Sequence, residues 1–391
     1  MHTNDTFYIA VNHTPKQEDV IMKQHLIGRA LLKYFVAAIT VMLPMFAFAA
    51  PPSGYPTDYQ KIIDAAKKEG KLVIYATTDT KAAEPVLKDF EALYPGIKIE
   101  YNDLNSTELY NRFIGEAAAG GGTGDVTWSS SMDLQVKLVM DGHALHYKSP
   151  EAGKIPVWAN WKDQAYGTTY EPISIVYNKR LLKSDELPKS HADLAKVLAN
   201  PKFKGKVVTY DPERSGVGFS YLTQDLKNNS SGFWDMAKAL GNAGVKVYTS
   251  TGAMMEKVSS GEALMGYNII GSYAFLKAKK DPSIGFLYPS DYTVVMSRVL
   301  FISKHAKNPN AAKLWLDYVL SNRGQQVISD KADLFAIRSD IKGDTTMASL
   351  AKQLGTGAKP IPISNDTVEF LDQKKRLDFL KKWQQALGTV K

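Results

Sequence analysis

Two hydroxyl clusters, one guanidinium and a few tyrosines are the residues whose types and spacing could do chemistry. Thr77, Thr78 and Asp79 follow the apolar run Lys71-Leu-Val-Ile-Tyr75 and precede a helical pattern. Ser129, Ser130 and Ser131 stand in the same place after Asp125-Val-Thr-Trp128. Backbone N–H groups at a helix N-terminus carry partial positive charge, so hydroxyls beside them favour an anion. Simple capping by Thr78, Asp79 or Thr80 is the plainer reading of the first cluster. Three serines in a row exceed what one cap needs, and Asp133 reads as a complement to the helix dipole. Arg214, Ser215 and Gly216 lie between the strand pattern Gly205–Tyr210 and a helix. Arg can grip a phosphate or carboxylate with two parallel hydrogen bonds, and Gly permits close backbone approach. A surface pair between Arg214 and Glu213 is the alternative, and such pairs contribute little. Tyr267, Asn268 and Tyr273 suit an organic ligand that needs hydrogen bonds, although Tyr273 could equally be aromatic core.

Catalytic constellations are missing from the sequence. It contains no G-x-S-x-G, no G-x-G-x-x-G and no H-E-x-x-H, and Ala119-Gly-Gly-Gly-Thr-Gly124 lacks the Lys-Ser/Thr of a phosphate-binding loop. The chain has no Cys, which removes disulfides, thiol nucleophiles and thiolate metal sites. His143 and His146 are the nearest His pair, and they read as loop residues. No metal and no cofactor is expected.

The 391 residues are 44% hydrophobic and 23% charged, an ordinary globular composition with room for two or three domains. The formal charge of +8 is spread along the chain without a basic block, so nucleic acid is not an expected partner. Residues 1–49 hold four basic and three acidic residues and read as a secretory leader. A basic stretch over 23–33 precedes the uncharged run Phe35–Ala49, which ends in Ala47-Phe48-Ala49. That run is short of the ~20 residues a spanning helix needs. Met22 directly before the basic stretch is a second possible start.

Strand and helix patterns alternate from Tyr59 onward. Helices are expected over 59–70, 82–93, 106–118, 216–226, 251–260 and 309–321. Strands are expected at 71–75, 97–101, 125–128, 173–177, 205–210, 264–270 and 294–303. Such alternation predicts an α/β fold with a largely parallel sheet.

Five stretches in this order resemble the extracellular solute-binding proteins of bacterial ABC importers, in the branch with ferric-ion-binding and sugar-phosphate-binding members. They are Gly70-Lys-Leu-Val-Ile-Tyr-Ala-Thr-Thr-Asp79, Phe90-Glu-Ala-Leu-Tyr-Pro-Gly-Ile-Lys-Ile99, Asp125-Val-Thr-Trp-Ser-Ser-Ser131, Ser174-Ile-Val-Tyr-Asn-Lys179, and Pro309-Asn-Ala-Ala-Lys-Leu-Trp-Leu-Asp-Tyr-Val-Leu-Ser321 with Gly324-Gln-Gln. The resemblance implies a two-lobed periplasmic-binding-protein-like fold (type II) with the ligand cleft between lobes. Lobe one would be 70–169 plus 292–341, lobe two 170–291, and 342–391 a helical tail packed back across both. Tyr170, at the implied crossing, would line the cleft beside Glu171. Ferric-binding relatives carry two adjacent Tyr where this chain has Gly271-Ser272-Tyr273. The missing second Tyr speaks against iron. The implied protein is a periplasmic monomer that hands a small anionic organic solute, with a phosphate, phosphonate or carboxylate group, to its cognate permease in the inner membrane. A ferric-binding protein and a secreted enzyme on the same scaffold are the alternatives.

Overall fold

A computed structural model describes residues 51–389. The leader expected over 1–49 lies outside these residues. Short apolar runs become strands, and the amphipathic runs between them become helices. Helix α1 (Gln60–Glu69) stops where Gly70 turns left-handed at φ 67° and its N–H caps Ala66. Strand β1 (Lys71–Ala76), α2 (Thr80–Leu93), β2 (Lys98–Asp103), α3 (Ser106–Ala118), β3 (Val126–Ser129) and α4 (Met132–Met140) follow. β1 runs parallel to β2 and β3 on either side, with Tyr75 opposite Asn102 and Thr127. Short β4 (Asn160–Trp161) and β5 (Ala165–Gly167) close the far edge of this first sheet.

Residues 168–170 then lead into β6 (Glu171–Asn178) of a second sheet. After α5 (His191–Val197) come β7 (Val207–Tyr210), α6 (Gly216–Asn228), α7 (Phe233–Asn242), β8 (Lys246–Tyr248), α8 (Thr251–Ser260), β9 (Met265–Ile270) and α9 (Gly271–Lys280). Strands β10 (Ile284–Leu287) and β11 (Thr293–Met296) both pair antiparallel with β6. β12 (Val299–Ile302) returns to the first sheet, antiparallel to β3, with Leu300 opposite Trp128.

This return corrects two expectations. The apolar run 294–303 is not one strand. It breaks at Ser297–Arg298, and its halves belong to different sheets. The first lobe is therefore re-entered at Val299 rather than at 292. Val294 and Met296 of the first half and Val299 and Phe301 of the second all join one apolar cluster, so the run stays largely hydrophobic through a change of sheet.

Helices α10 (Pro309–Leu320) and α11 (Asn322–Asp330) pack on α1 and α2 of the first lobe. The segment beyond α12 (Met347–Leu354) is not purely helical: β13 (Ala358–Pro360) adds a parallel strand to β11 in the second sheet. Ile363 then donates its N–H to the Trp158 carbonyl at 3.0 Å. Residues 365–371 lie on α4 of the first lobe, and α13 (Gln373–Leu387) lies on α7 of the second. One apolar cluster joins Met132 and Val136 of α4 to Val217 and Tyr221 of α6, with Ile361 and Ile363 between. Each such side chain contributes about 1.5–3 kcal/mol when removed from water, so this seam holds the lobes together away from any ligand. Among the described residues no helix is long and apolar enough to cross a membrane.

Candidate ligand cleft

Six strands point their carboxyl ends at one cavity of about 170 Å³. In open α/β sheets that edge is where ligands sit. The first lobe supplies Thr77 and Asp79 after β1, Asp103 to Ser106 after β2, and Ser130 after β3. The second supplies Tyr210 from β7, Val217 from α6, Thr249 to Gly252 after β8, and Ile270 and Tyr273 around the end of β9. Six helices start on this wall: α2, α3, α4, α6, α8 and α9. Their caps follow the local sequence. Asn105 accepts from the Glu108 N–H, Ser215 from Gly218, and Ser250 from Ala253.

The hydroxyls at the ends of β1 and β3 bond to one another. Ser130 N–H donates to Thr77 Oγ1 at 2.9 Å, and Thr77 Oγ1 lies 3.1 Å from Ser130 Oγ and 3.3 Å from Ser129 Oγ. Ser131 Oγ donates to Asp133 at 2.8 Å. Asp133 is fully buried, and desolvation pushes its carboxyl up to about 6 against those hydrogen bonds.

The lobes meet around the cavity. The Tyr273 hydroxyl accepts the Asp79 N–H at 3.1 Å, and Ser106 Oγ accepts the Val217 N–H at 3.2 Å. Gly216 sits so close to the first lobe that a Cβ there would lie 2.7 Å from Leu134 Cδ1 and 2.8 Å from Ser131 Oγ. Glycine is the residue that permits this approach. Burial raises the Tyr273 phenol above its ordinary value, with Arg298 opposing, and burial also raises the Asp79 carboxyl.

Behind Thr78 lies the residue that pattern reading missed. Arg298 is wholly buried where β11 passes into β12. Its Nε lies 2.7 Å from Glu171 Oε1, its Nη2 3.2 Å from Oε2, and its Nη1 donates to Thr78 Oγ1 at 2.8 Å. The guanidinium also lies 5.3 Å from the centre of the Tyr273 ring. Its only sequence signal is a lone charge inside an apolar run.

The expected site residues divide into three groups. Thr77, Asp79, Ser130 and Tyr273 line the cavity. Thr78, Ser129, Ser131, Ser215 and Gly216 form the layer behind it. Tyr170, Arg214, Tyr267 and Asn268 are outside its lining. Tyr170 packs on Trp158. Arg214 is exposed, with Nε 2.7 Å from Asp211 Oδ2, because the turn after β7 folds its side chain back onto that acid. The structure thus withdraws the guanidinium expected to grip the ligand. Tyr267 and Asn268 are buried in lobe two, donating to Asp225 at 2.6 and 2.9 Å, since β9 lies inside its sheet between β6 and β7. The Tyr267 hydroxyl is thus held by Asp225 inside lobe two, whereas the Tyr273 hydroxyl reaches Asp79 of lobe one.

The sequence pattern described as bacterial extracellular solute-binding protein matches residues 76–326, the span that carries the crossings at 168–170 and 297–298 and the whole cavity wall. The chain belongs to the bacterial extracellular solute-binding protein family. A solute-binding protein of an ABC transporter from Agrobacterium tumefaciens is 36% identical, with 81% of this chain and 94% of that one covered at a TM-score of 0.78. AfuA of Actinobacillus pleuropneumoniae, solved with fructose-6-phosphate, shares the fold at 20% identity and a TM-score of 0.67, covering 81% of this chain and 98% of that one. Iron-bound HitA of Pseudomonas aeruginosa does so at 18% and 0.66, covering 81% and 99%. Solute-binding proteins of this family carry small solutes to ABC permeases outside the cytoplasm, and this one is a binding component, not an enzyme.

Proposed function

We propose that this protein is the periplasmic receptor of an ABC importer for a compact organic solute with an anionic end, delivered to an inner-membrane permease by a monomer. The convergence of six helix N-termini on one small cavity carries the reading. Their partial positive charges supply the field that Arg214 was expected to supply. Thr77, Ser130, Ser250 and Thr251 add hydroxyls around the same space. The volume limits the solute: a cavity of roughly 150 Å³ accommodates benzene. Contacts from both lobes favour the closed arrangement only as far as the solute binds it better than the open one.

The test is a thermal-shift and calorimetry panel of small carboxylates, phosphates and sulfonates, with ferric citrate as the metal arm. Stabilisation by an organic anion, in a colourless protein, is the expected result. A visible charge-transfer band with ferric citrate, and no response to any organic anion, would overturn the reading.

A further inference from the structure

The charges on the cavity wall do not match a plain anion. Among the described lining residues the carboxylic acids are Asp79 and Asp103, and no Lys, Arg or His is present. The nearest buried cation, Arg298, is already committed to Glu171 and Thr78. Asp103 is engaged too, since its Oδ2 accepts the Thr80 N–H at 2.8 Å and the Thr80 hydroxyl at 3.2 Å. Asp79 differs. It stands at the N-cap of α2 yet makes no capping hydrogen bond, and among the described residues no cation reaches it at ion-pair distance, the buried Arg298 acting on it only from further away. Across the cleft the Tyr273 hydroxyl accepts its N–H and also bonds its carboxyl, with Tyr210 close by.

We infer that the solute is zwitterionic: it brings its own ammonium group to Asp79 and sets its anionic end among the helix N-termini of the opposite wall, at Thr249 to Gly252. This deepens the function proposed above and rests on it. A solute carrying only negative charge would face two carboxylates on a wall that holds no cation, and enclosure would strengthen that repulsion by lowering the local dielectric. A solute with an ammonium turns the same carboxylate into a charge-assisted hydrogen-bond acceptor. The separation of roles also explains why hydroxyls surround the site without a guanidinium: a fixed cation would compete with the ligand's own for Asp79. The modest volume suits a short chain between the two charges.

Three matched pairs test the assignment: phosphoethanolamine with ethyl phosphate, β-alanine with propionate, and taurine with ethanesulfonate. Each is titrated calorimetrically into the wild-type protein and into Asp79→Asn. The expected result is that at least one amine-bearing member binds roughly ten- to hundredfold tighter than its partner without the amine, and that Asp79→Asn removes this preference. The unliganded melting temperature of Asp79→Asn, compared with wild type, separates lost recognition from lost folding. If Asp79→Asn does not fold, Asp79→Glu is titrated instead, and it should retain the preference for the amine. Equal or tighter binding of the plain anions overturns this inference and leaves the proposed function standing. Binding of none of the six compounds overturns this inference, and silence of the wider anion panel with a ferric charge-transfer band overturns both.

Discussion

The Arg298 guanidinium rests on the Glu171 carboxylate at 2.7 Å, and the two residues come from two of the chain segments that cross between the sheets. Both are wholly buried. The pair therefore fastens one crossing to the other at the base of the cleft. Through Nη1 it also holds Thr78, next to the wall residues Thr77 and Asp79.

Removing one partner strands the other as a buried charge, which costs about 3–5 kcal/mol. Arg298→Met should lower stability by that amount in urea melts. The double variant Arg298→Met with Glu171→Met should recover much of the loss, because no charge is left unpaired. Equal losses in the single and double variants would show that the charge itself is not what matters there.

Gly216 sets how near the lobes can come. Gly216→Val places side-chain atoms where Ser131 Oγ and Leu134 Cδ1 already sit. Overpacking of this kind costs about 1–3 kcal/mol, charged here to the closed arrangement. Solute affinity should fall roughly five- to hundredfold, and the radius of gyration from solution scattering should rise. Unchanged scattering and affinity would mean the lobes do not close on this contact.

Asp317 predicts a pH dependence of stability. Its Oδ2 accepts the Tyr59 and Tyr147 hydroxyls, each at 2.6 Å, while Oδ1 has no partner. Burial outweighs those bonds and pushes the carboxyl up to about 6. A carboxyl raised above its unfolded value of about 3.9 binds its proton more tightly in the folded protein. Its contribution is complete below about pH 4 and is lost as pH rises through 6, on the order of 2–3 kcal/mol. Between pH 7 and 5 the wild type should therefore gain more stability than Asp317→Asn in chemical denaturation. Parallel pH profiles for the two proteins would contradict this.

The strand-to-helix junctions were legible in the sequence because a strand end followed by hydroxyls has few other uses; Thr77, Asp79 and Ser130 came from that rule. Three other kinds of residue were not. Arg298 hid in a continuous apolar run, because local hydrophobicity does not register a strand that changes sheets. Tyr267 and Asn268 carry polar groups into an interior strand, where Asp225 satisfies them, and polarity alone cannot distinguish that from a ligand site. Arg214 has the right neighbours but a nearer acid in Asp211. Thr249 to Gly252 looked like an ordinary helix start, and only the meeting of the two sheets makes it a wall.

Gly252 offers the most direct test of where the solute binds. It lines the cavity, and a Cβ at this position would meet no atom within 4 Å. Gly252→Leu should therefore occupy ligand space without disturbing the fold, and exchanging a helical Gly should if anything raise the unliganded melting temperature. The decisive measurement is calorimetric titration of wild type and Gly252→Leu with whichever compound of the three matched pairs most stabilises the wild type. The account predicts at least a hundredfold loss of affinity alongside an undiminished melting temperature. An affinity equal to the wild type's would place the solute somewhere other than this cavity.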